Sequence, residues 1–314
     1  MDKHDGILVA GARGMVGSAI VRRLHSLGYD NVLCPTRDHL DMKDQAAVAA
    51  FYATHRPTYV FVAAAKVGGI LANSSWPADF LYDNLMIEAN LIHGAHVAGV
   101  RKLLFLGSTC IYPKFAPQPL KEEYLLTSEL EPTNEWYAVA KIAGIKLCQA
   151  YRKQHGCSFI AGMPTNLYGP HDNFDLKSSH VLPALIRKCH EAKVSGAPEL
   201  VVWGTGAPLR EFLHVDDCAD ACLHLMREYD GYEHVNIGVG WDLSIRDLAE
   251  MVCEVVDYRG RLVFDSSKPD GTPRKLVDVT RITALGWKPS IDLRQGIAAT
   301  YAWFLEHPAE AAKD

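Results

Sequence analysis

"GILVAGARGMVGSAIVRRLHSLG", residues 6–28, decides the fold of this chain. An apolar run ends in a loop that places Gly11, Gly14 and Gly17 at GxxGxxG spacing, and a helical apolar period follows at once. Glycines at this spacing allow a tight turn, close approach of the backbone to a pyrophosphate, and close packing of the helix on the strand. The stretch therefore predicts a dinucleotide-binding strand–turn–helix unit, with the helix N-terminus facing the phosphates.

The same alternation continues through the first half of the chain. Apolar runs at 31–36, 58–65 and 102–108 alternate with helical periods at 44–56 and 78–99. The runs are continuously apolar, which is typical of parallel strands covered by helices on both faces. We predict an α/β fold, a Rossmann-type doubly wound parallel sheet with a smaller, interleaved C-terminal substrate domain.

The predicted boundary between the two domains follows a change in the amino-acid composition of the chain. After the strand "SFIAGMP" (158–164) comes a loop rich in Pro, Gly, Asn and Asp, and the helical pattern returns in "REFLHVDDCADACLHLM" (210–226), where we expect the Asp pair to cap the helix. The predicted Rossmann domain is residues 1–165 plus about 212–240. The predicted substrate domain is about 166–211 and 241–314.

Composition limits the classes of function. The 314 residues carry a net charge of −5, with 48% hydrophobic and 22% charged residues, so nothing predicts nucleic acid as a partner. No apolar run is long enough for a membrane span, and the N-terminus lacks the pattern of a secretory signal. The eight cysteines include no CxxC pair and several lie in apolar runs, so we expect a soluble, cytoplasmic protein with reduced thiols.

The end of the second strand predicts the cofactor. About 20 residues beyond the last glycine, where an NAD enzyme has an acidic residue for the ribose hydroxyl, the chain has Arg37. Arg13 lies inside the glycine loop, and two guanidinium groups suit a 2′-phosphate, so NADP(H) is favoured. We expect Arg37 to hold the adjacent Asp38 aside. The alternative is that both arginines are solvated surface charges.

"YAVAK" places Tyr137 and Lys141 four residues apart, on one face of a predicted helix. We expect the lysine to lower the pKa of the phenol so that it can deliver a proton near neutrality. Ser108, at the end of a strand, can hydrogen-bond to the same substrate oxygen. Two residues later comes Cys110, whose default role, taken alone, is packing.

Several blocks of the sequence resemble a known family. The glycine loop, Ser108 and the YxxxK pair resemble the extended short-chain dehydrogenase/reductases. "LGSTCIYPK" (106–114), "EPTNEWYAVAKIAGIKLC" (131–148), "PTNLYGPHDNF" (164–174) and "SKPDGTPRKLVDVTR" (267–281) are similar to the GDP-L-fucose synthase family, whose members are GDP-4-keto-6-deoxy-D-mannose 3,5-epimerase/4-reductases.

The resemblance implies an activity and a set of residues. The substrate would be epimerised at C3 and C5 and then reduced at C4 with NADPH, giving GDP-L-fucose. Catalytic roles would fall to Ser108, Tyr137 and Lys141, with Cys110 as base and His180 as acid; thiol and imidazole have ordinary pKa values suited to proton transfer. A homodimer is expected from the family alone.

The binding residues implied by the resemblance extend these sets. The cofactor would be held by Gly11, Ala12, Arg13, Gly14, Met15, Val16, Gly17, Arg37, Lys141, Pro164, Thr165, Asn166, Leu167 and His180. The GDP-sugar would be held by Lys188, Trp203, Arg210 and Asp270, whose two cations would balance a diphosphate. Trp203 alone could equally be a core residue.

Competing functions stay open at this point. A 4,6-dehydratase would be expected to have acidic residues where Cys110 and Ile111 stand, and a simple 4-epimerase would need no Cys/His pair. A synthase acting on a different GDP-4-keto sugar would share nearly every residue, and a non-catalytic NADP-binding protein would not need the full set.

His93 and His96 lie three apart on a predicted helix without an evident third ligand, so we predict no metal.

Overall fold

The computed structural model describes residues 1–176, 178–268 and 270–308. The strands, in chain order, are β1 (Ile7–Ala10), β2 (Val32–Leu33), β3 (Tyr59–Val62), β4 (Lys102–Leu106), β5 (Ser158–Pro164), β6 (Asn166–Tyr168), β7 (Glu199–Trp203), β8 (Leu209–Arg210), β9 (Phe212–His214), β10 (Val235–Ile237), β11 (Leu243–Ser244), β12 (Arg261–Asp265) and β13 (Arg274–Lys275).

Ten α-helices connect these strands within the described ranges. They are α1 (Met15–Ser26), α2 (Gln45–His55), α3 (Ile70–Ser75), α4 (Pro77–Val97), α5 (Glu135–His155), α6 (Val181–Ser195), α7 (Val215–Glu228), α8 (Ile245–Val256), α9 (Thr280–Ala284) and α10 (Leu293–Glu306). Nowhere in the described chain does a helix combine the length and the apolar character that crossing a bilayer requires.

Six strands form one parallel sheet in the order β10-β5-β4-β3-β1-β2. Strands β1, β3, β4 and most of β5 are fully buried, because helices cover both faces of the sheet. The predicted doubly wound α/β fold is therefore confirmed. Since β2 and β3 lie on opposite sides of β1, the crevice at the carboxyl ends of these strands is where such sheets bind ligands.

The two faces of the sheet are packed by different helices. Helices α1 and α7 bury their apolar sides on one face, and α2, α4 and α5 cover the other. Strand β10 and helix α7 thus come from the part of the chain beyond residue 212. Strands β6 to β9, which precede them in the chain, are not part of this sheet.

The remaining elements form a separate apolar cluster. Helices α6, α8 and α10 pack together with β7 and β9. Three short strands lie in the order β11-β8-β13, and β13 runs parallel to β8 with Lys275 opposite Arg210. This small sheet brings two distant parts of the chain to one edge of the crevice.

One local prediction is wrong. The Asp pair does not cap α7, because the helix starts one residue earlier and His214 is its N-cap, with ring Nδ1 accepting from the Asp216 backbone N–H at 3.2 Å. Asp217 instead accepts hydrogen bonds from Ser290 and Ile291, which tie the segment before α10 to α7.

Candidate active site

The glycine loop has the geometry that its spacing predicts. Gly11 has a φ of +86°, and a Cβ there would lie 2.7 Å from the backbone nitrogen of Ala64. A Cβ on Gly17 would lie 2.1 Å from the carbonyl oxygen of Gly11, so the first turn of α1 could not pack on the loop. Gly14 is different, since a Cβ there would meet only an ordinary contact at 3.5 Å.

The N-terminus of α1 suits an anion. Gly14 is its N-cap and provides no side chain to cap the helix, and no acidic residue lies in the first turn. The backbone N–H groups of this turn therefore remain available, and they carry the positive end of the helix dipole. This arrangement fits the pyrophosphate of a dinucleotide, which would lie against the loop from Gly11 to Gly17.

The two arginines proposed for a 2′-phosphate are both exposed. Arg13 lies in the loop before α1, and Arg37 lies in a turn a few residues beyond β2. Within the described residues neither side chain forms an ion pair at or below 4.0 Å, and none joins Arg37 to Asp38. Both guanidinium groups are thus free to bind an anion.

Ser108 and Cys110 follow β4 at the carboxyl edge of the sheet. Ser108 has extended backbone angles and is the N-cap of a short 3-10 helix, Thr109–Ile111, which contains Cys110. This turn packs against α5, which carries Tyr137 in its first turn and Lys141 one turn later. The fold therefore brings together the serine, thiol, phenol and ammonium groups that the sequence predicts.

Lys141 forms a buried ion pair that sequence analysis did not anticipate. Its Nζ lies 2.8 Å from Oε1 of Glu88 on α4, and both side chains are only 2% exposed. Apart from this ion pair, neither carboxylate oxygen has a hydrogen-bond partner among the described residues, and burial raises the pKa of Glu88 while the lysine opposes that shift. The only sequence signal was a single carboxylate within the apolar run "LMIEANLI" (85–92).

The ion pair changes the expected electrostatics of Tyr137. The ammonium of Lys141 lies 5.7 Å from the phenol ring centre, but its charge is balanced by Glu88. Burial, followed by the negative charges of Cys110 and Glu88, raises the pKa of Tyr137 well above its ordinary value. In the protein alone the prediction of a lowered phenol pKa is thus wrong, because burial and the neighbouring negative charges raise the pKa while Glu88 balances the charge of Lys141.

The thiol of Cys110 is buried beside a hydroxyl group and two cations. Its side chain is 6% exposed, and burial raises its pKa. The Ser108 hydroxyl and the charges of Lys275 and Lys141 act in the opposite direction and stabilise the thiolate. This combination of desolvation with specific polar neighbours differs from that of a packing thiol such as Cys148, whose neighbours give it no cation.

His180 is the N-cap of α6 and its side chain is exposed to solvent. Desolvation by the surrounding protein and the charge of Lys275 lower its pKa. Lys275 is therefore an electrostatic neighbour of both Cys110 and His180. No role for this lysine was predicted from the sequence, although it lies inside one of the blocks that carry the family resemblance.

The segment Pro164–Leu167 continues from β5 into β6 at the same edge of the sheet. Its polar groups are held in place: the Thr165 backbone N–H donates to Ile237, and the Asn166 side chain donates to the carbonyl of Glu211. The Glu211 side chain is fully buried and accepts from the backbone N–H groups of Val239, Gly240 and Val277 at 2.6, 2.8 and 2.9 Å. Glu211 thus fixes three segments around the crevice.

Trp203, at the end of β7, is not a core residue. Its side chain is 63% exposed, with Lys188 Nζ 5.2 Å and Lys268 Nζ 5.5 Å from its ring centre. Burial lowers the pKa of Lys188, which extends from α6 toward the indole. An exposed indole with two adjacent ammonium groups is a surface on which a flat base can stack. Lys268 was not among the predicted residues.

Asp270 and Arg210 lie on the same side of the crevice. Asp270 accepts from the backbone N–H and the hydroxyl of Thr205 at 2.7 and 2.8 Å, so it fastens the loop that follows Trp203. Arg210 is half-buried and donates to the carbonyl of Leu209 at 2.8 Å. Burial lowers the pKa of Arg210 and the charge of Asp270 opposes that shift.

The histidines considered for a metal have other partners. His93 Nδ1 lies 2.6 Å from the Tyr151 hydroxyl, and His96 Nδ1 lies 3.3 Å from Cys157 Sγ. No group of three or more His, Cys, Asp or Glu side chains in the described parts of the chain has the geometry of a metal site.

Comparison with known proteins places the chain in context. The model of the family described as NAD dependent epimerase/dehydratase matches residues 7–238. The protein named GDP-L-fucose synthase 1 of Arabidopsis thaliana is 61% identical over 306 residues, which cover 98% of this chain and 95% of that protein. The GDP-L-fucose synthase of Escherichia coli (strain K12) is 56% identical over 310 residues, covering 96% and 97%. The crystal structure of a GDP-L-fucose synthetase from Naegleria fowleri bound to NADP has a TM-score of 0.93 at 31% identity, covering 100% of this chain and 98% of that one.

Proposed function

Because this chain belongs to the NAD dependent epimerase/dehydratase family, we propose that it carries out the GDP-L-fucose synthase reaction. The chain is an NADP-dependent epimerase and reductase that inverts C3 and C5 of GDP-4-keto-6-deoxy-D-mannose and reduces C4, giving GDP-L-fucose. The observation that supports this most directly is Cys110 beside Tyr137. A plain ketone reductase needs Ser108, Tyr137 and Lys141, but has no use for a thiol there.

The chemistry of the substrate explains the second pair of residues. The C4 ketone acidifies the C–H bonds at C3 and C5, since the carbanion formed at either carbon is an enolate. Inversion requires a base on one face of the sugar and an acid on the other. Cys110 and His180 supply a thiol as the base and an imidazole as the acid, and both are electrostatic neighbours of Lys275.

Each epimerisation then runs as follows. The Cys110 thiolate takes a proton from C3 or C5, and the electron pair of the C–H bond moves toward the C4 oxygen. Ser108 and Tyr137 donate hydrogen bonds to that oxygen and stabilise its charge. His180 delivers a proton to the same carbon from the opposite face, and exchange with solvent restores both groups.

The reduction uses the same oxygen site. Tyr137 gives its proton to the C4 oxygen, and Lys141 positions the nicotinamide ribose while its charge is balanced by Glu88. NADPH, when bound, supplies the hydride to C4. Its pyrophosphate fits the free N–H groups of α1, its 2′-phosphate fits Arg13 and Arg37, and its nicotinamide fits the segment Pro164–Leu167.

We extend the proposal to organisation and location. Residues 1–165 with about 212–240 bind NADPH, and about 166–211 with 241–314 bind the GDP-sugar. The protein is a homodimer, and the exposed apolar side chains of Tyr82, Trp136 and Val139 on α4 and α5 support such an interface. It is cytoplasmic, in keeping with the eight cysteines, all of them free thiols.

The reaction is tested with the purified protein, NADPH and GDP-4-keto-6-deoxy-D-mannose in heavy water. NADPH should be oxidised, and NMR of the product should show deuterium at C3 and C5. Reduction without deuterium at these carbons would contradict the epimerase half. Oxidation of NADPH only with a different GDP-4-keto sugar would assign the chain to a related synthase.

The Cys110→Ser variant separates the two activities. It removes the thiolate but retains a small polar side chain, so exchange at C3 and C5 should fall by about 100-fold or more, the size of a general-base contribution. NADPH binding and the circular dichroism spectrum should not change. A variant that still exchanges at the original rate would show that the thiol is not the base.

A further inference from the structure

Two cysteine side chains meet where α6 packs against α8. Cys189 on α6 donates an S–H hydrogen bond to Cys253 on α8, and the two Sγ atoms are 3.8 Å apart. Both are free thiols within the apolar cluster that α6, α8 and α10 form. The fold thus brings two oxidisable groups, 64 residues apart in the chain, into direct contact.

The distance between the two sulfur atoms is within reach of a disulfide bond. An S–S bond is about 2.05 Å long, so the sulfurs have to approach by about 1.8 Å. Rotation about the Cα–Cβ bond of either residue moves its sulfur without moving the backbone. The two helices are also held together close by, because Lys193 Nζ, one turn further along α6, donates to the carbonyl of Val256 at 2.8 Å.

Cys253 is the thiol that an oxidant reaches first. It is 8% exposed, whereas Cys189 is fully buried. The hydrogen bond from Cys189 lowers the pKa of Cys253, and burial and the charges of Glu250 and Glu254 oppose that shift. The same contact, followed by burial, raises the pKa of Cys189. The thiolate, which is the form that attacks a peroxide, is therefore favoured at Cys253.

A second pair of buried thiols, Cys218 and Cys222, lacks these properties. Both residues are fully buried, and they lie one turn apart on the same helix, α7. Side chains at this spacing have Cβ atoms about 5–6 Å apart, whereas a disulfide requires about 3.8 Å, so a bond there would distort the helix. Contact between two different helices, together with access to one of the sulfurs, distinguishes the pair Cys189 and Cys253.

We propose that Cys189 and Cys253 form a redox-active dithiol, which hydrogen peroxide oxidises to a disulfide between α6 and α8. The Cys253 thiolate attacks one peroxide oxygen, the O–O bond breaks, and the departing hydroxide takes up a proton, which leaves a sulfenic acid on Cys253. Cys189 then loses its proton and attacks the Cys253 sulfur, so that the S–O bond breaks and water leaves. Two thiols and one peroxide thus give one disulfide and two molecules of water.

The disulfide acts on a helix that leads to the active site. Helix α6 has His180 as its N-cap and carries Lys188, directly before Cys189, beside the ring of Trp203. Oxidation therefore fastens to α8 the helix that positions both side chains. A dithiol that closes only on oxidation also suits the proposed cytoplasmic location, where disulfides are usually transient.

Peptide mapping of the full chain by mass spectrometry tests this proposal. The folded protein is treated with hydrogen peroxide, the remaining thiols are alkylated, and tryptic peptides are analysed without reduction. Cleavage after lysine and arginine places the two cysteines in separate peptides, 189–193 and 247–259. These peptides should appear as one linked species, and dithiothreitol should release them.

Two serine variants separate the steps of the oxidation. Cys189→Ser keeps a hydrogen-bond donor beside Cys253, so the reaction should stop at the sulfenic acid of Cys253, which dimedone labels. In Cys253→Ser, dimedone labelling of Cys189 should be about 10-fold or more weaker, because that thiol is fully buried.

Cys222→Ser is the matched control, since it removes a buried thiol from a distant helix. It should leave the yield of the linked peptides within about twofold of that of the unchanged protein, as expected for an independent site.

Three results would overturn the proposal. The first is absence of the linked species from the folded protein, whether Cys253 stays a thiol or stops at the sulfenic acid. The second is a link that forms only in urea, because the native contact would then play no part. The third is linkage of Cys189 to other cysteines in comparable yield, which would show random pairing of thiols.

Discussion

Replacing Glu88 by glutamine tests whether a buried counter-ion sets the proton affinity of Tyr137. The carboxylate lies 2.8 Å from Lys141 Nζ, and the two side chains are each 2% exposed. Glutamine keeps the shape and removes the charge. Lys141 would then act on the phenol without a balancing anion.

The structure gives the scale of the effect. Lys141 Nζ lies 5.7 Å from the Tyr137 ring centre. One unit charge acting on another at about 6 Å, in an effective dielectric of about 20, is worth roughly 3 kcal/mol, or about two pKa units. Part of this interaction persists in the unchanged protein, so we expect Glu88→Gln to lower the pKa of Tyr137 by about one unit.

The sign follows from the role of the phenol as an acid. Tyr137 must be protonated to reduce the ketone, so activity is present below its pKa and is lost as the pH rises through it. In Glu88→Gln the alkaline fall of kcat/KM for NADPH oxidation should begin about one pH unit lower. An alkaline limb that stays in place or moves upward would refute the reasoning.

Stability supplies the second measurement. Removing one partner of a buried ion pair costs about 3–5 kcal/mol in the free energy of unfolding, because the remaining charge is uncompensated. The double variant Glu88→Gln/Lys141→Met should recover most of this loss in urea unfolding. The control Glu191→Gln breaks the partly exposed pair with Arg187 and should cost less than about 1 kcal/mol. A double variant as unstable as the single one would contradict the ion-pair interpretation.

Two further predictions follow from other parts of the site and the fold. Arg13→Ala/Arg37→Ala should raise the KM for NADPH about 10- to 100-fold and leave the KM for NADH nearly unchanged, because only NADPH carries the 2′-phosphate; a parallel rise for both cofactors would contradict the assignment. His234 is 1% exposed, and burial lowers its pKa to about 3. As the pH falls below about 6.5, the ordinary pKa of histidine, His234 therefore takes up a proton in the unfolded chain but not in the native state. The free energy of unfolding should fall by about 2 kcal/mol at pH 5 because of this residue, and the urea unfolding of His234→Gln should lack that part of the pH dependence; an identical pH dependence in both proteins would refute it.

The parts of the site that sequence could predict lie on long, regular elements. The glycine loop, Ser108 and the Tyr137–Lys141 pair are placed by strand ends and helix turns of the central sheet, whose periodicity is visible in the sequence. Glu88 could not be identified as the partner of Lys141, because α4 and α5 are far apart in the chain and their packing sets the contact.

The position of Lys275 at the site was not predicted from the sequence for a related reason. It lies in a two-residue strand whose position depends on pairing with β8, and such a short strand has no periodic signal. The pKa of Tyr137 was mispredicted because spacing alone shows the cation at Lys141, but shows neither the burial that raises the phenol pKa most nor the acid that balances the lysine. Where neighbours in space are remote in sequence, local patterns predict the functional groups but not their charge state.

The late return of the chain to the central sheet has a consequence for synthesis on the ribosome. The edge of β5 stays unpaired, and the apolar face destined for α7 stays bare, until β10 at Val235–Ile237 has emerged. A nascent chain that ends near residue 165 therefore exposes both an unpaired strand edge and an uncovered apolar face of the sheet, two features that favour aggregation. We expect fragments cut at that boundary to be poorly soluble, and the growing chain to depend on chaperones until α7 and β10 close the sheet.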